Sequence, residues 1–115
     1  MKVPFVDLKP QFATVKDEVR KAMDDVLEKG NFILGDQVKS LETNFAAYCG
    51  TSYGVGLNSG TDALHFALTA LGVKAGDEVI VPTHTFIATA LGVSFAGAKP
   101  VLADITSDTY TLDPA

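Results

Sequence analysis

The chain has 115 residues, which suits one domain better than two. Hydrophobic residues form 47% of it, enough to build a core and too many for a disordered tail. Nine basic against 14 acidic side chains leave a formal charge of −5, which argues against a nucleic-acid or anionic-membrane surface. A tight anion site remains open, because backbone N–H groups bind phosphate without net positive charge. One cysteine, Cys49, allows no intrachain disulfide or cysteine metal cluster and reads as a buried, reduced residue. No stretch approaches the ~20 apolar residues of a membrane span, and the N-terminus lacks a signal-peptide pattern. The expected location is the cytoplasm, with no membrane and no metal.

Val3 to Leu8 is short, apolar and proline-flanked, and reads as an extended lead-in. From Gln11 to Lys29, Phe12, Val15, Val19, Met23 and Val26 recur at helical spacing, with Gly30 as the stop. Asn31-Phe32-Ile33-Leu34-Gly35 is an apolar loop between two helices. Asp36 is placed as an N-cap, and Val38, Leu41, Phe45 and Tyr48 continue a second helical stripe to Gly50. No chemistry is expected on these two helices.

After Gly50 the pattern changes. Tyr53 to Leu57 reads as a buried strand, and Gly60 to Leu71 as a helix stopped by Gly72. Lys74 to Asp77 is a turn, Glu78 to Pro82 a second strand, Thr85 to Phe95 a third helical pattern, and Pro100 to Ala103 a third strand. Alternation of this kind predicts an α/β fold with a mainly parallel sheet and flanking helices. The near-continuous apolar strands fit a sheet covered on both faces. The expected division is residues 1–50, an extended segment and two helices, and residues 51–115, the first part of an α/β domain. The chain stops at Leu112-Asp113-Pro114-Ala115, where Asp113 resembles the N-cap of a further helix. The expectation is therefore a leading fragment of a longer protein.

Ligands of open parallel sheets bind beyond the carboxyl ends of the strands. Three segments fall there. In Asn58-Ser59-Gly60-Thr61, a glycine at a helix start lets backbone approach a ligand, and the first-turn N–H groups favour an anion. Ser59 and Thr61 add hydroxyls. A plain helix cap by Ser59 or Asn58 is the competing reading. The Walker pattern and the dinucleotide glycine fingerprint are both absent. In Thr83-His84-Thr85-Phe86, the Phe86 ring could stack on a flat cofactor or fill the core, and His84 reads as a turn residue. Asp104 and His65 read as structural.

These residues resemble the N-terminal part of the DegT/DnrJ/EryC1/StrS sugar aminotransferases, pyridoxal-phosphate enzymes of the aspartate aminotransferase fold type. Five ordered stretches carry the likeness: Val3-Pro-Phe-Val-Asp-Leu8; Gly30-Asn-Phe-Ile-Leu-Gly35; Asn58-Ser-Gly-Thr-Asp-Ala-Leu64; Gly76-Asp-Glu-Val-Ile-Val-Pro82 with Thr85-Phe-Ile-Ala-Thr89; and Gly97-Ala-Lys-Pro-Val101 with Asp104. The resemblance implies that Gly60 and Thr61, beside Ser59, hold the cofactor phosphate and that Phe86 stacks on the pyridine ring. It places Asn31, Phe32 and Ile33 near the opening through which a nucleotide sugar arrives; a loop that plugs the two helices together is the alternative.

The activity implied is transfer of an amino group, usually from glutamate, to a keto group of a nucleotide-linked sugar such as a dTDP-sugar, by a homodimer with shared active sites. The family's Schiff-base lysine and its pyridine-pairing aspartate lie beyond the stretch matched here. Lys2, Lys9, Lys16, Lys21, Lys29, Lys39, Lys74 and Lys99 match neither position, so no catalytic residue is expected in this chain, and alone it is expected to be inactive. Two alternatives stay open: a nucleotide-sugar dehydratase on the same scaffold, with histidine for the lysine, and a non-catalytic phosphate-binding module.

Overall fold

A computed structural model describes residues 3–114. It divides into two compact units, one running to Gly56 and the other starting at Leu57.

In the first unit, Val3 to Leu8 forms neither helix nor strand, as the prolines predict. Helix α1 spans Lys9–Lys29, beginning two residues earlier than the apolar periodicity, because Pro10 fits the first turn of a helix. Gly30 ends it in the left-handed conformation (φ 64°), donating its N–H to Val26 and Leu27. Helix α2 spans Asp36–Cys49 and ends at a second left-handed glycine, Gly50. Its N-cap is Gly35 rather than Asp36, and Asp36 supplies negative charge in the first turn. Gly35 is required sterically, since a Cβ there would stand 2.6 Å from the Asn31 carbonyl oxygen. The apolar stripe of α1 is only partly covered: Phe12, Val15, Val19 and Met23 remain exposed. Cys49 is exposed, not buried as composition suggested, because it sits on the last turn of α2.

The second unit contains helix α3 (Gly60–Ala70), strand β1 (Glu78–Pro82), helix α4 (Ala88–Phe95) and strand β2 (Lys99–Ala103). The strands pair in parallel, from Glu78 opposite Lys99 to Pro82 opposite Ala103. The ladder runs on at both ends, with Lys99 N–H donating to Asp77 and Thr83 N–H to Ala103. Val81 of β1 is buried with Val93 and Ala98, and Leu68, Val73 and Val79 pack against them. Helix α4 crosses α3 closely at Gly92, where an added Cβ would lie 2.9 Å from Leu64 Cβ. The turn at Lys74 to Asp77 forms as expected, with the Asp77 carboxylate accepting the Lys74 N–H at 2.9 Å.

The expected first strand is the main difference. Tyr53 to Leu57 pairs with no other strand, and Tyr53 and Val55 are exposed (87% and 78%). A strand needs a partner for its backbone groups, and this segment has none in the β1–β2 sheet. Gly54 and Gly56 lie against Glu42 of α2 instead. Among the described residues the sheet has two strands where three were expected. The helix expected to follow an Asp113 cap would begin at Pro114, the last described residue, and so lies outside the described residues. The Asp113 N–H donates to the Asp104 carbonyl, closing a small turn bridged by Ile105 and Leu112.

Candidate functional site

The start of α3 is organised by Ser59. Its extended backbone (φ −155°, ψ 157°) makes it the N-cap. Its Oγ accepts the Asp62 N–H at 3.1 Å and donates to Asp62 Oδ2 at 3.0 Å. The serine hydroxyl is thus committed to the cap, which is the competing reading realised for this one side chain. Ser59 O accepts the Ala63 N–H at 3.0 Å. That leaves the N–H groups of Gly60 and Thr61, which have no acceptor inside a helix that begins with them. Thr61 is half-buried, and no group among the described residues pairs with its hydroxyl.

Gly60 adds a steric argument. A Cβ there meets nothing within 4 Å, and its φ lies outside the left-handed region. Packing among the described residues does not demand glycine at this position. The open space is what an anion needs to approach the backbone closely. Two oriented N–H groups, one hydroxyl and open space fit a phosphate ester. No basic side chain belongs to this turn, and Asp62 brings a negative charge.

Phe86 stands between β1 and α4. Its carbonyl accepts the Thr89 N–H at 3.0 Å, and the hydroxyls of Thr85 and Thr89 on either side are 2.8 Å apart. The backbone is pinned while the ring is 76% exposed. It stacks on no other ring of the described residues, so within this chain one aromatic face is open. His84 lies in the bend after β1, as expected of a turn residue, with its ring 5.9 Å from that of Tyr110. Tyr110 is held at φ 56° in the turn after β2. His65 lies inside α3, its ring stacked at 4.9 Å on Phe66 and edge-on to Phe95 at 5.9 Å. Asp104 is exposed; its Oδ1 accepts the Ile105 N–H, a structural role.

In the first unit, Phe32, Ile33 and Leu34 are exposed (68%, 83% and 84%) and Leu34 has φ 49°. Phe32 borders an apolar groove of roughly 430 Å³ with Val19, Met23, Val26 and Leu27. Lys99 and Asp108, both exposed and outside these segments, have shifted titrations. The Glu78 carboxylate, by hydrogen bond and then by charge, raises the Lys99 ammonium. The backbone N–H of Asp108 itself, then the Thr106 hydroxyl and the Thr109 N–H, lower its carboxyl. Among the described residues no group of three His, Cys, Asp or Glu side chains is placed to hold a metal, and no helix is long and apolar enough to cross a membrane.

Sequence reasoning missed two partners. Asp62 follows Ser59 at capping-box spacing, a signal that could have been read. Glu42, whose carboxylate accepts the Gly56 N–H at 2.7 Å, gave none, because the contact spans 14 residues.

Known proteins with similar chains supply the family. The chain is 49% identical over 113 residues to a dTDP-3-amino-3,4,6-trideoxy-alpha-D-glucose transaminase of Streptomyces venezuelae, covering 98% of this chain and 30% of that one. It is 48% identical over 115 residues to a pleiotropic regulatory protein of Geobacillus stearothermophilus, covering 100% of this chain and 31% of that one. Its fold matches S. venezuelae DesV with a TM-score of 0.91 at 49% identity, over 98% of this chain and 30% of that chain. It also matches Bacillus subtilis NtdA with bound PMP, at a TM-score of 0.90 and 33% identity, over 98% of this chain and 26% of that chain. The chain thus spans about 30% of the length of these relatives. Residues 13–115 match the DegT/DnrJ/EryC1/StrS aminotransferase family, and the chain belongs to that family.

Proposed function

We propose that these residues are the leading part of a pyridoxal-phosphate-dependent aminotransferase that moves an amino group, from glutamate, onto a keto group of a nucleotide-linked sugar. The observation that carries the reading is the family match over residues 13–115, joined to an α3 first turn whose free donors suit a phosphate. When bound, the cofactor supplies the electron sink for the transfer. The chain's own residues bind and orient it. The Gly60 and Thr61 N–H groups and the Thr61 hydroxyl take the phosphate, Phe86 offers its exposed face to the ring, and Ser59 with Asp62 keeps the first turn in shape. Asn31, Phe32 and Ile33 are assigned to the sugar-nucleotide side on the strength of their exposure. Residues 1–50 are assigned as a segment preceding the cofactor-binding domain.

The lysine that bonds the cofactor is assigned to sequence beyond these residues, and the 115-residue chain is inactive alone. The working form is a cytoplasmic homodimer. The many exposed large apolar side chains, among them Phe5, Ile80 and Leu102, favour an assembly larger than this chain. The test is amino transfer by the complete protein from glutamate to a panel of keto-sugar nucleotides, with pyridoxal phosphate added. Turnover is expected. Saturable cofactor binding with no transfer and no dehydration on any sugar would return the site to a binding module, and loss of water without transfer would make it a dehydratase.

A further inference from the structure

Two segments leave the carboxyl end of the β1–β2 sheet, and the first carries the exposed ring of Phe86. After β1 the chain runs through Thr83, His84, Thr85 and Phe86 toward α4, and after β2 it turns between Asp104 and Asp113. The first segment is pinned on both sides of His84. The Thr83 N–H donates to the Ala103 carbonyl at 2.9 Å, the Thr85 and Thr89 hydroxyls lie 2.8 Å apart, and the Phe86 carbonyl accepts the Thr89 N–H at 3.0 Å. His84 itself makes no hydrogen bond among the described residues. Its ring meets that of Tyr110, with centroids 5.9 Å apart and planes tilted by 38°, a geometry suited to a ring pair. The second segment is built around Tyr110. The Tyr110 N–H donates to the Thr106 carbonyl at 3.1 Å and the Thr106 N–H to the Thr111 carbonyl at 3.0 Å. The Thr109 hydroxyl lies 2.6 Å from that of Thr106 and 2.7 Å from that of Thr111.

Tyr110 takes φ 56°, a region that a residue with a Cβ enters at a cost and that glycine or asparagine enters more easily. Its ring is 64% exposed, so packing within this chain does not offset that cost. Its ring contact among the described residues is the one with His84. All of these residues belong to the second unit. We propose that Tyr110 is a positioning residue for the cofactor ring: through His84 it steadies the bend that delivers Phe86. The inference rests on the reading of Phe86 as the ring that faces the pyridine. In this role Tyr110 touches no ligand and acts through Phe86, so its effect must vanish when the Phe86 ring is gone. The contact is made by the ring and not the hydroxyl, so phenylalanine must serve as well as tyrosine.

The experiment measures, on the complete protein, the affinity for pyridoxal 5′-phosphate and the urea unfolding midpoint without cofactor. Wild type is expected to bind saturably and Phe86→Ala to bind more weakly. Tyr110→Asn suits the left-handed backbone but removes the ring. It is expected to weaken binding by about threefold to tenfold while the urea midpoint holds or rises, a pairing that a merely structural role does not give. Tyr110→Phe is expected to bind within about twofold of wild type. Added to Phe86→Ala, Tyr110→Asn is expected to change affinity by less than about twofold, the non-additivity of groups that act as one. His84→Ala is expected to repeat the Tyr110→Asn loss and serves if that variant does not fold. Unchanged affinity in a folded Tyr110→Asn or His84→Ala variant, an affinity loss matched by a fallen midpoint, a full loss in the Phe86→Ala background, or failure of Tyr110→Phe to keep affinity overturns the proposal. Wild-type affinity in Phe86→Ala, or no saturable binding by wild type, overturns the reading of Phe86 itself, and the inference with it.

Discussion

Replacing Ser59 by alanine separates its capping role from the proposed ligand role of its neighbours. The substitution removes two bonds, the 3.1 Å acceptance from Asp62 N–H and the 3.0 Å donation to Asp62 Oδ2. Both groups face solvent enough for water to replace the lost partner, so the cost belongs near the middle of the N-cap range, about 1 kcal/mol. That is roughly a fivefold change in the folded-to-unfolded ratio. Glycine at the same position costs only a few tenths of ~1 kcal/mol, because it caps tolerably without a side chain. Urea unfolding of the complete protein, with cofactor absent, reads this as a lower midpoint at unchanged slope for Ser59→Ala and a smaller shift for Ser59→Gly. Cofactor affinity should fall only modestly, since the Gly60 and Thr61 donors stay. A Ser59→Ala variant with wild-type stability and a hundredfold loss of cofactor affinity would refute the reasoning, and would make the serine hydroxyl a ligand instead of a cap.

Gly92→Val should lower stability by ~1–3 kcal/mol, because the new side chain begins 2.9 Å from Leu64 Cβ where α3 and α4 cross; an unchanged unfolding midpoint would contradict that crossing. Phe86→Ala should weaken cofactor binding with little loss of stability, since the ring is exposed; a large stability loss with intact binding would return Phe86 to a packing role. The Lys99–Glu78 bridge (2.7 Å) predicts an alkaline dependence. The folded ammonium titrates above its ordinary 10.5, so its contribution is complete below that value and is lost as pH rises through the raised one. Lys99→Met should therefore differ slightly from wild type at neutral pH and low salt, and converge with it at high pH; a gap that persists at high pH counts against the bridge. The 115-residue chain expressed alone should self-associate on size exclusion because of its exposed apolar side chains, and a monomer with a cooperative melt would contradict this.

Local signals were the legible part of this chain. Left-handed glycines end α1 and α2 where Gly30 and Gly50 were expected to, and the Lys74–Asp77 turn forms from residues adjacent in sequence. The parallel pairing of β1 and β2 was readable from apolar runs separated by a helical pattern. Tyr53 to Leu57 misled because an apolar run says nothing about where its hydrogen-bonding partner stands. Its glycines turned out to serve contact with Glu42, a relation across 14 residues that no local pattern encodes. The same limit applies to burial: that the Phe86 ring is 76% exposed within this chain could not be read from its residue type. At the start of α3, a cap by Ser59 was readable from the helix-start pattern, whereas its pairing with Asp62 required the fold.

The central claim is that the first turn of α3 is the phosphate seat of a pyridoxal-phosphate enzyme. Its most direct test is a crystal structure of the complete protein with pyridoxal 5′-phosphate. The account predicts phosphate oxygens at about 2.7–3.2 Å from the backbone nitrogens of Gly60 and Thr61, with the Phe86 ring against the pyridine. A phosphate seated elsewhere, with the α3 first turn facing only water, would contradict it.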